Sequence, residues 1–126
     1  MITLKSIKPK DLGSIKDVAI KDGLLFSKTT PHLVGLYLNE EIIAFAGFKV
    51  GKTKAVLKNL FVLKEYRGKG LARQLTEFRI SVLKSIGVKK IEANLTKASL
   101  NLHLKNGAKV VKRYKNGITK IVYENI

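Results

Sequence analysis

Residues Leu60 to Ala72 constrain this chain more than any other stretch, because they pass from strand to helix across a turn of unusual composition. Leu60-Phe61-Val62-Leu63 is a run of strand formers, Lys64 to Gly70 is short, basic and broken by glycine, and an amphipathic helix begins at Leu71. Gly68 and Gly70 let the backbone approach a ligand closely. The first N–H groups of the helix have no intrahelical acceptor, and the helix dipole favours an anion there. Arg67, Lys69 and Arg73 add positive charge, so the stretch is a phosphate cradle in outline.

The rest of the chain frames that turn. Ile2, Leu4 and Ile7 read as a short half-buried strand closed by Pro9. Asp11 then caps a helix carrying Leu12, Ile15, Val18 and Ala19, which Gly23 ends. An antiparallel meander follows: His32 to Leu38, a turn at Asn39-Glu40, Glu41 to Val50, a turn at Gly51-Lys52, and Thr53 to Leu63. Past the cradle, Leu71, Leu75, Phe78, Val82 and Ile86 predict one apolar helix stripe, with Gly87 as terminator. Lys89 to Leu95 reads as a strand parallel to the one ending at Leu63, because a helix separates the two. Ser99 to Asn106 is a short helix, and Lys109–Lys115 and Ile118–Asn125 flank the hairpin signal Asn116-Gly117. The expected order is β-α-β-β-β-α-β-α-β-β in a single domain over residues 1–126: an α/β chain of α+β type, with helices on both faces of a mixed sheet.

Composition narrows the chemistry. With 126 residues, 45% of them apolar, there is material for one core. There is no cysteine and only His32 and His103, which excludes a disulfide framework, a thiolate nucleophile and an imidazole-rich metal site. Neither a signal peptide nor a bilayer-spanning segment is legible, so the expectation is a cytoplasmic protein with no membrane partner. Twenty-five Lys and Arg against nine Asp and Glu leave a formal +16. That charge makes nucleic acid an eligible partner, although lysines scattered along a chain also describe an ordinary solvated surface.

The spacing Arg67-x-x-Gly70-x-Ala72, with apolar Val62 five positions earlier, resembles the Arg/Gln-x-x-Gly-x-Gly/Ala signature of the GCN5-related N-acetyltransferases (GNAT superfamily). The element order is also that family's, so the resemblance covers essentially the whole chain. It implies an acyl-CoA N-acyltransferase-like fold and acetyl-CoA as acyl donor without a metal. The pyrophosphate would lie on Arg67, Gly68, Lys69, Gly70, Leu71, Ala72 and Arg73, and the pantetheine arm along Phe61, Val62 and Leu63, where a main-chain N–H would polarise the thioester carbonyl. The acceptor would be a primary amine of a small molecule or a peptide, attacking the thioester directly. A homodimer is compatible with this reading.

Residues that should act on the acceptor depart from the family pattern. Many relatives place a tyrosine four residues before a glycine to protonate the leaving thiolate; Gly107 matches the glycine, but His103 stands in the tyrosine's place and Ala108 replaces the usual aromatic. An imidazolium can donate a proton near neutral pH, which makes His103 the candidate acid, although a His on an apolar face is commonly structural. Relatives with a glutamate base carry it where this chain has Val56, leaving Glu92 and Glu41 as candidate bases and water as the alternative. Lys58 and Asn59 would favour an acidic acceptor if they face it. Two other classes stay open: a non-catalytic CoA- or nucleic-acid-binding module, and an acyltransferase acting on a nucleic-acid-associated substrate.

Overall fold

A computed structural model describes residues 1–27 and 30–126. Seven strands, β1 (Ile2–Ile7), β2 (His32–Leu38), β3 (Glu41–Val50), β4 (Ala55–Val62), β5 (Lys90–Leu95), β6 (Lys109–Arg113) and β7 (Thr119–Glu124), form one mixed sheet in the order β1-β2-β3-β4-β5-β7-β6. The helices are α1 (Ser14–Lys21), α2 (Leu71–Ser85) and α3 (Lys97–Lys105), with single 3-10 turns at Pro9–Leu12 and Lys64–Tyr66. The α+β class and the element order match the sequence expectation. The chain divides into two compact units: residues 1–49 with 58–79, and residues 50–57 with 80–126.

In the first unit the meander is buried on both faces. Leu12, Ile15 and Ala19 pack with Leu33, Phe45 and Phe61, while Val34, Leu36, Ala44, Ala46 and Val62 pack with Leu71 and Leu75. The first helix is shorter than its periodicity predicts: Asp11 sits in the 3-10 turn, and Gly13, at φ +57°, precedes α1. Val18, expected inside, is exposed. The third meander strand begins at Ala55, not Thr53. Asn59, within it, has φ +59°, a left-handed conformation that asparagine tolerates better than most residues.

The stripe on α2 is rotated from the predicted one. Leu71, Leu75, Arg79 and Leu83 form the buried seam, whereas Phe78 and Val82 lie at its border and Ile86 falls beyond the helix and is exposed. Apolar spacing pointed elsewhere because the third seam position is an arginine, only 1% exposed. Its Nη1 donates to Gly47 O at 2.9 Å, its Nε to Leu75 O at 3.2 Å and its Nη2 to Thr76 Oγ1 at 3.2 Å, so acceptors inside the first unit satisfy the guanidinium.

In the second unit, Ala55 and Val56 pair in parallel with Ile91 and Glu92, and β7 lies antiparallel between β5 and β6. Helix α3 packs on β5 and β7. The hairpin closes through Asn116 and Gly117: the Tyr114 N–H donates to Ile118 O, and the Ile118 N–H to Asn116 Oδ1.

Candidate functional site

Strand β4 delivers the chain into the cradle. Phe61 and Val62 are buried in the first unit's two cores, and the Leu63 N–H donates to Ile43 O at 2.9 Å. Leu63, one of the residues expected to offer a main-chain N–H to a thioester, therefore already has its donor engaged in the sheet. The 3-10 turn closes with the Tyr66 N–H on Leu63 O and the Arg67 N–H on Lys64 O. Gly68 and Gly70 follow at φ +79° and +81°. These left-handed values explain why glycine occupies both positions, since side chains are strained there. The Gln74 N–H donates to Gly70 O at 3.0 Å, so helical bonding starts there. That leaves the amides of Leu71, Ala72 and Arg73 without a carbonyl one turn back inside α2.

Among the cradle's cations the roles divide. Arg67 faces the protein: its Nε donates to Val62 O at 2.9 Å, its Nη2 pairs with Asp22 Oδ2 at 2.7 Å, and its guanidinium lies 5.5 Å from the Phe61 ring centre. It ties the turn to the end of β4 and to the residue capping α1. Lys69 sits 5.7 Å from the centre of the Tyr66 ring, and both Lys69 and Arg73 are exposed. Gly68, Lys69 and Gly70 are exposed as well, and a Cβ built on Gly68 meets nothing within 4 Å. The cradle thus offers open backbone, two left-handed glycines, a helix N-terminus and two outward cations, which fits a pyrophosphate.

His103, the candidate acid, points into the second unit and is 1% exposed. Its Nδ1 is 2.8 Å from the Tyr123 hydroxyl, which also lies 3.5 Å from His103 O. Leu104, the next residue on α3, is exposed. Glu92 is 8% exposed and surrounded by lysine: Lys54 Nζ at 2.9 Å, Lys120 Nζ at 3.3 Å and Lys90 Nζ at 3.9 Å. The Lys54 hydrogen bond, helped by Lys120, holds its carboxyl below the usual range even though burial acts the other way. A carboxylate so stabilised is a weak base, and the lysines occupy the oxygens that would take the amine's proton. Glu92, expected as a candidate base, thus lies among three lysines as a buried counter-ion.

The sequence profile of the Acetyltransferase (GNAT) family matches residues 6–108. The chain belongs to that family. No curated protein matches it in sequence. Among solved structures, the ribosomal-protein-S18-alanine N-acetyltransferase of Escherichia coli aligns with TM-score 0.77 and 20% identity, over 99% of this chain and 94% of that one. The PaiA N-acetyltransferase of Thermoplasma acidophilum, in complex with coenzyme A, aligns with TM-score 0.80 and 16% identity over 98% and 99%. A GNAT family acetyltransferase of Elizabethkingia anophelis with acetyl-CoA bound aligns with TM-score 0.73 and 20% identity over 98% and 97%. At such identities these neighbours share the fold with this GNAT family member.

Two side chains of the family member escaped the sequence reading, and a third, Asn59, was given another role there. Asp22, one residue before the glycine expected to end the first helix, anchors Arg67. Tyr123 had no signal beyond strand periodicity, yet it meets His103. Asn59 is buried and holds the segment after α1: Oδ1 accepts from the Ser27 N–H at 2.9 Å, while Nδ2 donates to Ser27 O at 3.1 Å and to Thr30 Oγ1 at 3.0 Å. Neighbouring Lys58 reaches Ser27 Oγ at 3.4 Å. An asparagine inside a strand pattern was the available signal, but only folding shows which segment it grips. No helix of the described residues is long and apolar enough to cross a membrane, and among them no group of three His, Cys, Asp or Glu could hold a metal ion.

Proposed function

We propose that residues 1–126 work as one cytoplasmic domain, an acetyl-CoA-dependent N-acetyltransferase acting on a primary amine of a small molecule or a peptide. The observation that carries the reading is the Gly68–Gly70 turn: two left-handed glycines opening directly onto α2, in a chain of the GNAT family. Acetyl-CoA supplies the acetyl group as an activated thioester. The amides from Gly68 to Ala72 would hold its pyrophosphate, with Lys69 and Arg73 neutralising the charge. Arg67 keeps the turn in place from behind, through Val62 O and Asp22. Phe61 and Val62 would flank the pantetheine arm.

His103 occupies the position from which family tyrosines donate, and its 2.8 Å contact with the Tyr123 hydroxyl supports a paired proton source for the departing thiolate. Glu92 is committed to lysines and Glu41 is exposed at the start of β3, so water removes the amine's proton. The test has two arms. Acetyl-CoA should raise the melting temperature in proportion to the logarithm of its concentration, and an amine panel should release free thiol. Absence of stabilisation by any acyl-CoA defeats the proposal, whereas stabilisation without thiol release would leave a binding module in place of an enzyme.

A further inference from the structure

The excess charge has a location. The second unit holds twelve of the 25 Lys and Arg but only two of the nine carboxylates, Glu92 and Glu124. Strand register sorts its residues by face, since cross-strand partners point the same way. On one face Ile91 pairs with Tyr123, and Ala93 with Ile121, which pairs with Val110; this apolar face meets α3 through Tyr123 and His103. On the other, Glu92 pairs with Val122 and Val122 with Lys109; Asn94 pairs with Lys120 and Lys120 with Lys112; Lys90 pairs with Glu124. Lys54 reaches the same face through Glu92. Tyr114, two residues after Lys112, is 40% exposed, and Lys112 Nζ stands 5.0 Å from its ring centre.

We infer that this lysine face of β5, β7 and β6 binds the backbone of single-stranded nucleic acid, independently of the acetyl-transfer reading. Lys54, Lys90, Lys109, Lys112 and Lys120 converge on one face whose carboxylates, among the described residues, are Glu92 and Glu124. Lys54, Lys90 and Lys120 gather their ammonium groups within 3.9 Å of the Glu92 carboxylate, while Lys109 and Lys112 extend the charge along β6. Glu92, in contact with Lys54, Lys90 and Lys120, orders three of them without cancelling the positive balance. The cations are lysines, point charges suited to phosphate and not to reading base edges. Tyr114 offers an exposed ring on which an unpaired base can stack, and that favours a single strand over an acidic peptide or an anionic bilayer.

The experiment titrates the full chain against a fluorescein-labelled 12-nucleotide oligouridylate by anisotropy, between 50 and 200 mM KCl. Five lysines predict a slope of log affinity against log salt of about −3.5 for a single strand. Combined Lys90→Gln, Lys109→Gln and Lys112→Gln should shrink that slope by about 2 units and cost at least about tenfold in affinity at 50 mM. Lys5→Gln, Lys10→Gln and Lys16→Gln in the first unit, an equal loss of charge, should change affinity by less than about twofold. Tyr114→Ala should weaken binding by about tenfold with the slope unchanged. Equal losses in both triple variants would mean net charge alone. That result, no measurable binding at 50 mM, or tighter binding to a glutamate 12-mer or to phosphatidylserine vesicles would each overturn the inference.

Discussion

Replacing Asn59 by Asp changes one atom of a buried clamp and tests what holds the segment after α1. In the native chain Nδ2 donates to two oxygens, Ser27 O and Thr30 Oγ1. Aspartate keeps the acceptor for the Ser27 N–H and tolerates the left-handed backbone, but it sets a carboxylate oxygen against the Ser27 carbonyl where an N–H stood at 3.1 Å. Two hydrogen bonds at roughly 1 kcal/mol each disappear, and a buried charge faces an acceptor, which brings the cost to about 3–4 kcal/mol at neutral pH. Asn59→Gly removes the same bonds and the Ser27 N–H bond without adding charge. Thr30 Oγ1 still donates to Ser27 O, so its cost should be about 2 kcal/mol. Urea denaturation followed by circular dichroism reads both values. The two variants also differ in sign with pH. Burial raises the folded-state pKa of the new aspartate above its unfolded value, so the folded form binds more protons and the Asp variant regains stability as pH falls, whereas the Gly variant does not. A cost below about 0.5 kcal/mol for the Asp variant, or no recovery at pH 5, would refute the clamp.

Other outcomes follow from the same structure. Glu92→Gln should cost about 1–3 kcal/mol, because the lysines lose their anion. In the native chain Glu92's folded-state pKa is lowered, so its contribution is present above the unfolded carboxylate range and disappears as pH falls through the lowered value; acid titration of the Gln variant should show a shallower loss below about pH 4.5. Gly68→Ala meets open space but a φ of +79°, so about 1–2 kcal/mol of backbone strain should appear in denaturation, together with at least about tenfold weaker acetyl-CoA binding by calorimetry. His103→Ala should lower turnover at least about tenfold with the acetyl-CoA affinity unchanged, and Tyr123→Phe should reproduce part of that loss; unchanged turnover in both would assign the pair to packing.

The sequence by itself determined the order of elements and the cradle, because both rest on local physics. Period-2 and period-3.6 apolar patterns, and glycines where only glycine sits without strain, announce themselves within a few residues, as at Gly68, Gly70 and Asn116-Gly117. What only the tertiary structure decided are contacts between residues far apart in the chain. Arg79 occupies a buried seam because Gly47 O lies within reach, and no spacing rule expects a cation there. Glu92 looked like a spare carboxylate, and folding brought Lys54 and Lys120 to it as counter-ions. His103 gained Tyr123, Asn59 gained Ser27 and Thr30, and lysines scattered along the text gathered on one sheet face through strand register. Charge and hydrogen bonding act at a few ångströms in space, whatever the separation in sequence, so the fold had to set those partners.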